Sequence, residues 1–252
     1  MKTTGNTMLI TGGGSGIGRA LAEAFHRRGN QVIIAGRRQA VLDEVANANP
    51  GMATAVLDVT DAQDIARFTQ QIVCDYPALN VLINNAGIMR AEDWTAENVD
   101  TATAQATIAT SLLAPILLTA ALLSQLRKQA ASNVVNVSSG LAFLPLAITP
   151  TYSATKAAIH SFSESLRHQL KDTAVEVIEI APPYVQTELM GAQQASDPRA
   201  MPLAEFIDEV MQLLETYDTP EVLVQRVHRQ RFAAAQGQAG YQELFTQVNG
   251  PH

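Results

Sequence analysis

Met8-Leu-Ile-Thr-Gly-Gly-Gly-Ser-Gly-Ile-Gly18 joins a short apolar run to a glycine-rich turn, and Arg19 to His26 then has helical character. A strand, a glycine loop and a helix in this order form a cradle for phosphate. The glycines let the backbone approach the anion, and the helix N-terminus offers N–H groups and the positive end of the helix dipole. Arg19-Ala20 replaces the Lys-Ser/Thr of a P-loop, and no frame contains a complete G-x-G-x-x-G. The stretch therefore predicts a nucleotide-binding unit with another pattern, Thr11-Gly-xxx-Gly-x-Gly18.

Apolar runs and helical segments alternate along the rest of the chain. Strands are predicted at about 31–35, 54–59, 81–83, 133–137 and 175–180, after the first at 8–10. Helices are predicted at 39–48, from a cap at Asp61 to near Tyr76, at about 102–130, and through Tyr152 to about Leu170. This alternation implies a parallel sheet covered by helices on both faces. Because no repeat or linker interrupts it, we expect one domain over residues 1–252, with a substrate loop and helix at 188–216 and a helical segment at 217–252.

Composition and charge exclude several classes of protein. The 252 residues carry a net charge of −7 and no basic run, which argues against nucleic acid or an anionic membrane surface as a partner. Cys74 is the sole cysteine, so no intrachain disulfide framework is expected. The run from Ala106 to Leu123 lacks charges, but it contains hydroxyl residues and a proline, which favour a core or interface helix over a membrane span. With no apparent signal peptide, these features predict a cytoplasmic protein.

The second predicted strand is followed by Gly36-Arg37-Arg38. An acidic residue at this place would bind the 2′-hydroxyl of NAD, whereas guanidinium groups suit a 2′-phosphate through bidentate, charge-assisted hydrogen bonds. The sequence therefore favours NADP(H) over NAD(H). The alternative is that the two arginines form an ordinary solvated turn before the next helix.

Tyr152 and Lys156 carry the predicted chemistry. On a helix their four-residue spacing leaves them about 40° apart around the axis and ~6 Å along it, so they share one face. A phenol has a pKa of about 10, and a nearby ammonium favours the phenolate, so such a tyrosine can exchange a proton near neutral pH. Upstream, the strand at 133–137 ends at Ser138 and Ser139, and ligands bind at strand ends in open α/β sheets. Taken alone, the pair is more consistent with two ordinary exposed helical residues, and the motifs earlier in the chain reverse that preference.

Together these residues resemble the short-chain dehydrogenase/reductase family from about Met8 to Leu189. The matching motifs are Thr11-Gly-xxx-Gly-x-Gly18, Asp58, Asn84-Asn-Ala-Gly87, Ser139, Tyr152-xxx-Lys156 and Pro182-Pro-Tyr-Val-Gln-Thr187. The resemblance implies an α/β fold of Rossmann type, a doubly wound parallel sheet of six to seven strands with helices on both faces. It also implies hydride transfer between a nicotinamide cofactor and a ketone, aldehyde or secondary alcohol.

By this resemblance Tyr152 is the general acid/base, Lys156 lowers its pKa and binds the nicotinamide ribose, and Ser139 holds the substrate oxygen. Asp58 would contact the adenine, Asn85 the adenosine side, and Val185 and Thr187 the nicotinamide amide. The implied cofactor-binding residues are Gly12, Ser15, Gly16, Ile17, Gly18, Arg37, Arg38, Asp58, Val59, Asn85, Ala86, Gly87, Tyr152, Lys156, Pro182, Val185 and Thr187. A small-molecule carbonyl or alcohol substrate would contact Leu141, Phe143, Tyr184 and Met190, whose apolar and aromatic character suits a hydrophobic ketone or aldehyde.

The chain departs from the family pattern at three places. Ser111 occupies the position where the family usually has an asparagine that holds a water in a proton relay, so Ser111 is included among the catalytic candidates. Pro183 stands where glycine is more common, as in a subgroup that includes DltE-like oxidoreductases. After Pro220 the usual last strand is not evident, and Glu221 to Val248 looks mostly helical. Both this strand and any tetramer contact that depends on it stay open.

Three other interpretations of the sequence, a hydrolase, a metal site and a nucleotide sensor, fit its motifs less well than an oxidoreductase does. A hydrolase with Ser138 or Ser139 as nucleophile lacks the glycine that the elbow motif places two residues before the serine. The five histidines show no metal-ligand spacing, so no metal is expected. A non-catalytic nucleotide sensor would be expected to lose the Ser139, Tyr152 and Lys156 set, which this chain keeps, and it stays an alternative mainly because of Ser111. An NAD-dependent alcohol dehydrogenase remains an alternative, and a homodimer or homotetramer is expected from the apolar long helix and the family habit.

Overall fold

The computed structural model describes residues 1–216 and 219–250. Seven parallel strands form one sheet in the order β3-β2-β1-β4-β5-β6-β7. The strands are β1 Thr7–Thr11, β2 Gln31–Gly36, β3 Ala53–Val56, β4 Leu79–Asn84, β5 Ser132–Val137, β6 Val175–Ile180 and β7 Glu221–Val222. The strand order reverses between β1 and β4, and ligands bind at such switch points in doubly wound sheets. The predicted Rossmann-type architecture is confirmed.

Helices cover both faces of this sheet. They are α1 Gly16–Arg27, α2 Gln39–Ala48, α3 Ala62–Asp75, α4 Thr101–Ile108, α5 Ala114–Arg127, α6 Pro150–Leu170, α7 Ala192–Ala195, α8 Leu203–Thr216, α9 His228–Arg231 and α10 Gly237–Asn249. Buried residues of α1, α2 and α8 pack on one face, and those of α3, α5 and α6 pack on the other. Successive strand residues point to opposite faces, so Met8 and Ile10 join the first layer and Leu9 joins the second. Burial on both faces explains why the strands read as continuous apolar runs.

The α6 side of the sheet changes character at the carboxyl ends of its strands. There Asn84 of β4 pairs in register with Asn136 of β5, Asn136 with Glu179 of β6, and Glu179 with Glu221 of β7. These four polar residues alternate with the apolar residues that face the other layer, so they form one row across the sheet. We call this set the polar row. It lies directly beneath the edge where the candidate catalytic residues emerge.

Several predicted boundaries hold. Helix α2 has the predicted bounds, and Asp61 caps α3 by accepting from the backbone N–H groups of Gln63 and Asp64. The strand before Asp58 is shorter than predicted, because β3 ends at Val56 and Asp58 lies in the following loop. The long helix is also interrupted, since a π-helical turn at Ala109–Leu113 separates α4 from α5. π-turns of this kind occur often at functional sites.

The seventh strand corrects the sequence analysis. Glu221–Val222 pairs in parallel with Glu179 and Ile180 of β6, whereas this segment had been expected to be mostly helical. Two residues are too few to show an alternating pattern, so only the tertiary pairing identifies the strand. The rest of the segment is largely helical, as predicted, although residues 217, 218, 251 and 252 of the expected 217–252 segment lie outside the described residues.

One helical stretch in the described chain, Thr101–Arg127, is long and apolar enough to cross a membrane by length and composition. Its buried residues, including Leu118, Leu122 and Leu126, pack against the sheet in the α3 and α6 layer. Ile108, Leu113 and Leu117 remain exposed on its outer side. A half-buried helix of this composition is typical of a core or interface element.

Candidate active site

The glycine loop after β1 is built from backbone contacts. Gly12 has a φ of +67° and donates its N–H to the carbonyl of Ala35 at 2.8 Å, which ties the loop to β2. A Cβ at Gly18 would lie 2.3 Å from the carbonyl oxygen of Gly12 and 2.3 Å from Asn85 Nδ2. Neither position accepts a side chain, so the loop lies close against the start of α1. This side-chain-free cradle at a helix N-terminus fits a pyrophosphate group.

The predicted residues of the β4 end hold this loop in place. Asn85 donates its side-chain amide to the carbonyl of Thr11 at 3.0 Å. The Thr11 hydroxyl in turn accepts from the backbone N–H groups of Asn85 and Ala86, both at 3.1 Å. Asn85 therefore joins the ends of β1 and β4, a role that sequence reasoning did not anticipate. Its contact with the adenosine side stays a prediction.

A cleft runs from the glycine loop toward the ends of β2 and β3. Its lining includes Ser15, Arg37, Arg38, Val59 and Ala86. Both arginines are exposed, and within residues 1–216 and 219–250 neither forms an ion pair within 4 Å. Hydrogen bonds from Thr60, joined by the charge of Arg37, hold the pKa of Asp58 below its ordinary value. The described geometry brings a carboxylate and two guanidinium groups together at the adenosine end expected from the sequence.

Ser139, Tyr152 and Lys156 are all buried at the carboxyl end of β5. Ser139 follows β5 and caps a 3₁₀ turn at Gly140–Ala142, where its Oγ accepts from the Leu141 N–H at 3.1 Å. Ser138 instead directs its hydroxyl to the carbonyl of Ile180, so Ser139 is the serine available to a substrate. The nitrogen of Lys156 lies 5.4 Å from the centre of the Tyr152 ring and donates to the carbonyl of Val137 at 2.7 Å. The predicted trio is brought together.

Burial governs the charge state of the tyrosine and the lysine. It raises the pKa of Tyr152 well above its ordinary value, and contact with the Ser139 hydroxyl offsets only part of this rise. Burial also lowers the pKa of Lys156 to about 8, against a smaller upward influence from the charge of Glu179. The expected lowering of the Tyr152 pKa by Lys156 is therefore not achieved by the side chains alone. The sequence reading counted the charge of the lysine and missed the desolvation that both groups undergo.

Ser111 lies in the π-helical turn and is buried beside this trio. Its Oγ accepts from the Ile88 N–H at 3.5 Å. A Cβ placed on Gly87 would lie 3.6 Å from Ser111 Oγ and 4.0 Å from Lys156 Nζ. The glycine thus leaves a small space between the hydroxyl and the lysine. Ser111 therefore lies close to Lys156, and its role in proton transfer stays a prediction.

The segment after β6 approaches the glycine loop from the opposite side. The Thr187 methyl group would lie 3.6 Å from a Cβ on Gly16, and Thr187 Oγ1 accepts from the Gln194 amide at 3.1 Å. Gln194 is buried and also donates to the carbonyl of Val185 at 2.8 Å. Pro182 is buried at the end of β6, where its carbonyl accepts from Gly140. These contacts place the candidate nicotinamide residues Val185 and Thr187 across from the loop.

The four predicted substrate residues occupy different surroundings. Tyr184 is exposed and donates its hydroxyl to Asp197 at 3.2 Å, and Met190 is also exposed on the segment before α7. Leu141 lies in the 3₁₀ turn after Ser139. The ring of Phe143 instead lies 4.8 Å from the His160 ring and 4.7 Å from the Arg231 guanidinium. Phe143 thus packs into a charged cluster behind the site, and its contact with substrate stays a prediction.

Sequence reasoning missed that charged cluster. His160, Glu179 and Glu221 place ligand-type atoms within 4.8 Å of one another. Arg231 already pairs with Glu221 through two hydrogen bonds, at 2.6 and 3.0 Å. No HExxH-type spacing marks these residues, because they come from α6, β6 and β7. The one signal in the sequence was the position of His160, four residues after Lys156 and so on the same helix face.

The fold and this constellation together define a nicotinamide-dependent oxidoreductase architecture. The family model for short chain dehydrogenases matches residues 6–198, so the chain belongs to the short-chain dehydrogenase/reductase family. It is 41% identical over 252 residues to the uncharacterized oxidoreductase DltE of Bacillus subtilis, covering 99% of this chain and 98% of that protein. The DltE-like resemblance expected from Pro183 is thereby confirmed.

Two solved structures show the same fold over nearly the whole chain. A short chain dehydrogenase from Burkholderia cenocepacia in complex with NADP is 26% identical with a TM-score of 0.84, covering 100% of both chains. A short chain dehydrogenase/reductase from Burkholderia phymatum in complex with NAD is 19% identical with a TM-score of 0.81, covering 100% of this chain and 98% of that one. At 19% identity, the similarity to the Burkholderia phymatum protein shows a shared fold and nothing more.

Proposed function

We propose that this protein is an NADPH-dependent carbonyl reductase that interconverts a hydrophobic ketone or aldehyde and the corresponding alcohol. The observation that carries the proposal is the convergence of Ser139, Tyr152 and Lys156 at the end of β5, beside a side-chain-free phosphate cradle. When bound there, the nicotinamide cofactor supplies or accepts the hydride.

The chain's own residues supply the proton and hold the reacting oxygen. The Ser139 Oγ accepts from the Leu141 N–H, and the Ser139 hydroxyl contacts Tyr152, so a substrate oxygen at this place would accept from both hydroxyls. Tyr152 carries its proton at neutral pH, since burial raises its pKa, so it starts as a general acid. Two positioned hydroxyls stabilise the alkoxide that develops on the substrate. Lys156, anchored on the Val137 carbonyl, provides the positive charge that favours the tyrosinate left behind.

NADP(H) is the proposed cofactor because Arg37 and Arg38 follow β2, where no acidic residue is available for a 2′-hydroxyl. Both guanidinium groups are exposed at the adenosine end of the cleft, and planar guanidinium groups suit a phosphate. The NADP-bound relative from Burkholderia cenocepacia supports this choice. The NAD-bound one from Burkholderia phymatum keeps NAD(H) as the alternative to be tested.

We further propose a cytoplasmic homo-oligomer, at least a dimer, with no nucleic acid or membrane partner. The exposed apolar residues Ile108, Leu113 and Leu117 lie on one helical stretch, and a shallow apolar pocket between α4 and α6 includes Leu112 and Ala154. A second copy would remove this surface from water. Light scattering at micromolar concentration should give the mass of a dimer or larger, and a monomeric mass would refute this part of the proposal.

The decisive test follows NADPH and NADH oxidation at their absorbance band with a panel of bulky ketones and aldehydes. The matched control is Tyr152→Phe, which keeps the ring and loses the acidic proton. We expect turnover with NADPH to fall by about 10²–10⁴ in the variant, the usual contribution of a general acid, while NADPH binding stays nearly unchanged. Equal turnover by the two proteins would overturn the proposed mechanism.

A second variant separates two reasons for a negative result. If NADPH binds but no panel member reacts, Ser111→Asn is assayed on the same panel, because asparagine is the residue usual at this position in the family. Turnover that appears only in Ser111→Asn assigns the defect to proton delivery. Absence of turnover in both proteins, with NADPH bound, removes carbonyl reduction of this substrate class as the function.

A further inference from the structure

The polar row contains a carboxylate, that of Glu179, whose burial requires an explanation. Glu179 has 0% exposure, and its Oε2 contacts His160 Nδ1 at 2.8 Å. Its Oε1 is buried and has no hydrogen-bond partner among the residues that the structure describes. A buried carboxylate oxygen without a partner costs free energy. Burial of Glu179 at this position therefore destabilises the folded protein, and contacts elsewhere in the fold must offset that cost.

Its neighbours in the polar row do not satisfy that oxygen. Asn136 accepts from Asn84 at 2.9 Å and donates to Ser163 of α6 at 2.9 Å. Glu221 is held by Arg231 on the other side. Glu179 thus lies between two residues whose hydrogen bonds are directed elsewhere. Its charge is countered by His160 and Lys156 of α6 and also by the nearby guanidinium of Arg231 on α9.

Helix α6 presents the catalytic lysine and His160 on one face. Lys156, His160 and Ser163 are spaced at i, i+4 and i+7, and all three side chains face the carboxyl half of β5 and β6. The His160 contact keeps Glu179 fixed beneath the face that carries Lys156. The charge of Glu179 also acts on Lys156 in the direction opposite to burial.

We propose that Glu179, held by His160, is a positioning residue for catalysis whose buried carboxylate keeps Lys156 in its ammonium form. The inference rests on the proposed function, because the ammonium matters only if Lys156 assists Tyr152. Neither Glu179 nor His160 contacts Tyr152 or the glycine loop in the described structure, so both act through the lysine. The pair thereby offsets the cost of burying a catalytic cation.

The charges around the pair determine how this effect depends on pH. From α6, Glu164 lies 3.7 Å from His160 Nε2 and is largely exposed, and Arg167 also acts on Glu221. From β7 and α9, Glu221 and Arg231 neutralise each other. Contact with Glu179 raises the pKa of His160. Neutral His160 leaves the Glu179 charge intact while protonated His160 cancels it, so the field on Lys156 strengthens as the pH rises through the His160 pKa.

The experiment measures the Lys156 pKa directly in the full-length, cofactor-free protein, by NMR of the lysine ε-carbon, with Lys156→Met to assign the signal. Wild type should titrate near pH 8. Glu179→Gln keeps the shape and removes the charge, so the Lys156 pKa should fall by about one unit. His160→Leu should lower it similarly, because it removes the contact that fixes the Glu179 carboxylate beneath the face of α6 that carries Lys156. His160→Asn, which retains a donor near the Nδ1 position, should behave as wild type, as should Glu164→Gln.

The outcomes separate this inference from the proposed function. An unchanged Lys156 pKa in Glu179→Gln, or a His160→Asn protein that matches His160→Leu, overturns the inference whether or not the protein reduces carbonyls. If turnover is found, the alkaline limb of kcat/KM should move to lower pH in Glu179→Gln by the same amount as the NMR pKa. A limb that stays in place while the NMR pKa falls would also overturn it, since Lys156 ionisation would then not limit the reaction.

Discussion

The glycine loop after β1 and the inner face of α6 both lie at the carboxyl edge of the sheet, but they are built in opposite ways. The loop is backbone, shaped by glycines within one short stretch and closed against Thr11, Ala35 and Asn85. The inner face of α6 consists of side chains, and its neighbours come from β5, from β6 and, at Glu221, from β7.

Substitutions in the glycine loop should therefore act through steric clashes, whereas substitutions on α6 should act through electrostatics. At Gly12 and Gly18 of the loop, an added Cβ meets backbone atoms at 3.0 Å or less, so the response to substitution there should be abrupt. On α6, burial and charge oppose each other at Lys156, so substitutions there should change its pKa and the protein's stability by degrees.

The largest effect on cofactor binding and stability is expected from Gly18→Ala. Its methyl group would lie 2.3 Å from the Gly12 carbonyl oxygen, so the loop backbone must move. We expect NADPH to bind roughly 100-fold more weakly by fluorescence titration, a loss of about 3 kcal/mol in binding free energy. The strained loop should also lower the melting temperature of the protein. Gly36→Ala is the matched control, because its Cβ would meet only Leu42 at an ordinary 3.6 Å. Equal melting temperatures for the two variants would show that the loop is more adaptable than its contacts imply.

Lys156→Met should remove activity and yet stabilise the fold. The lysine pKa of about 8 in the folded protein lies below its ordinary 10.5, so the protonated side chain destabilises the fold below pH 8. This penalty fades as the pH rises from 8 to 10.5. We expect the variant to gain about 1–2 kcal/mol at pH 7, measured by urea unfolding, and the gain to vanish near pH 10. The exposed Lys171→Met is the control, and a gain that does not depend on pH would contradict the electrostatic account.

The smallest effect is expected where the cleft meets solvent. Arg37→Ala and Arg38→Ala should each weaken NADPH binding by about tenfold and leave NADH binding nearly unchanged, because each removes one charge from the side of a 2′-phosphate. Isothermal titration with both cofactors measures the ratio. Arg27→Ala, at the far end of α1 from the glycine loop, should leave both affinities as they are. Parallel losses for NADPH and NADH would show that the arginines do not read the phosphate.

The motifs of the cofactor half could be read directly from the sequence. Strand, loop and helix follow one another within 20 residues at Thr7–Arg27, and the alternation continues through β6. The choice of Ser139 over Ser138 also agrees with the structure, since Ser138 turns to Ile180. These features depend on residues that are adjacent in the chain or on the periodic spacing of apolar residues, and both can be read from a sequence.

The sequence by itself determined the doubly wound fold, and it predicted the phosphate loop and the Ser139, Tyr152 and Lys156 set that the structure brings to one edge of the sheet. Tertiary structure decided β7, the polar row, the placement of Phe143 against Arg231, and the opposed pKa shifts of Tyr152 and Lys156. Desolvation and buried ion pairs depend on which distant segments meet in space, and Glu179, His160 and Arg231 meet only when β6, α6 and α9 pack together. Local sequence motifs therefore specify the residues of this site, and long-range packing determines the ionisation of Tyr152 and Lys156.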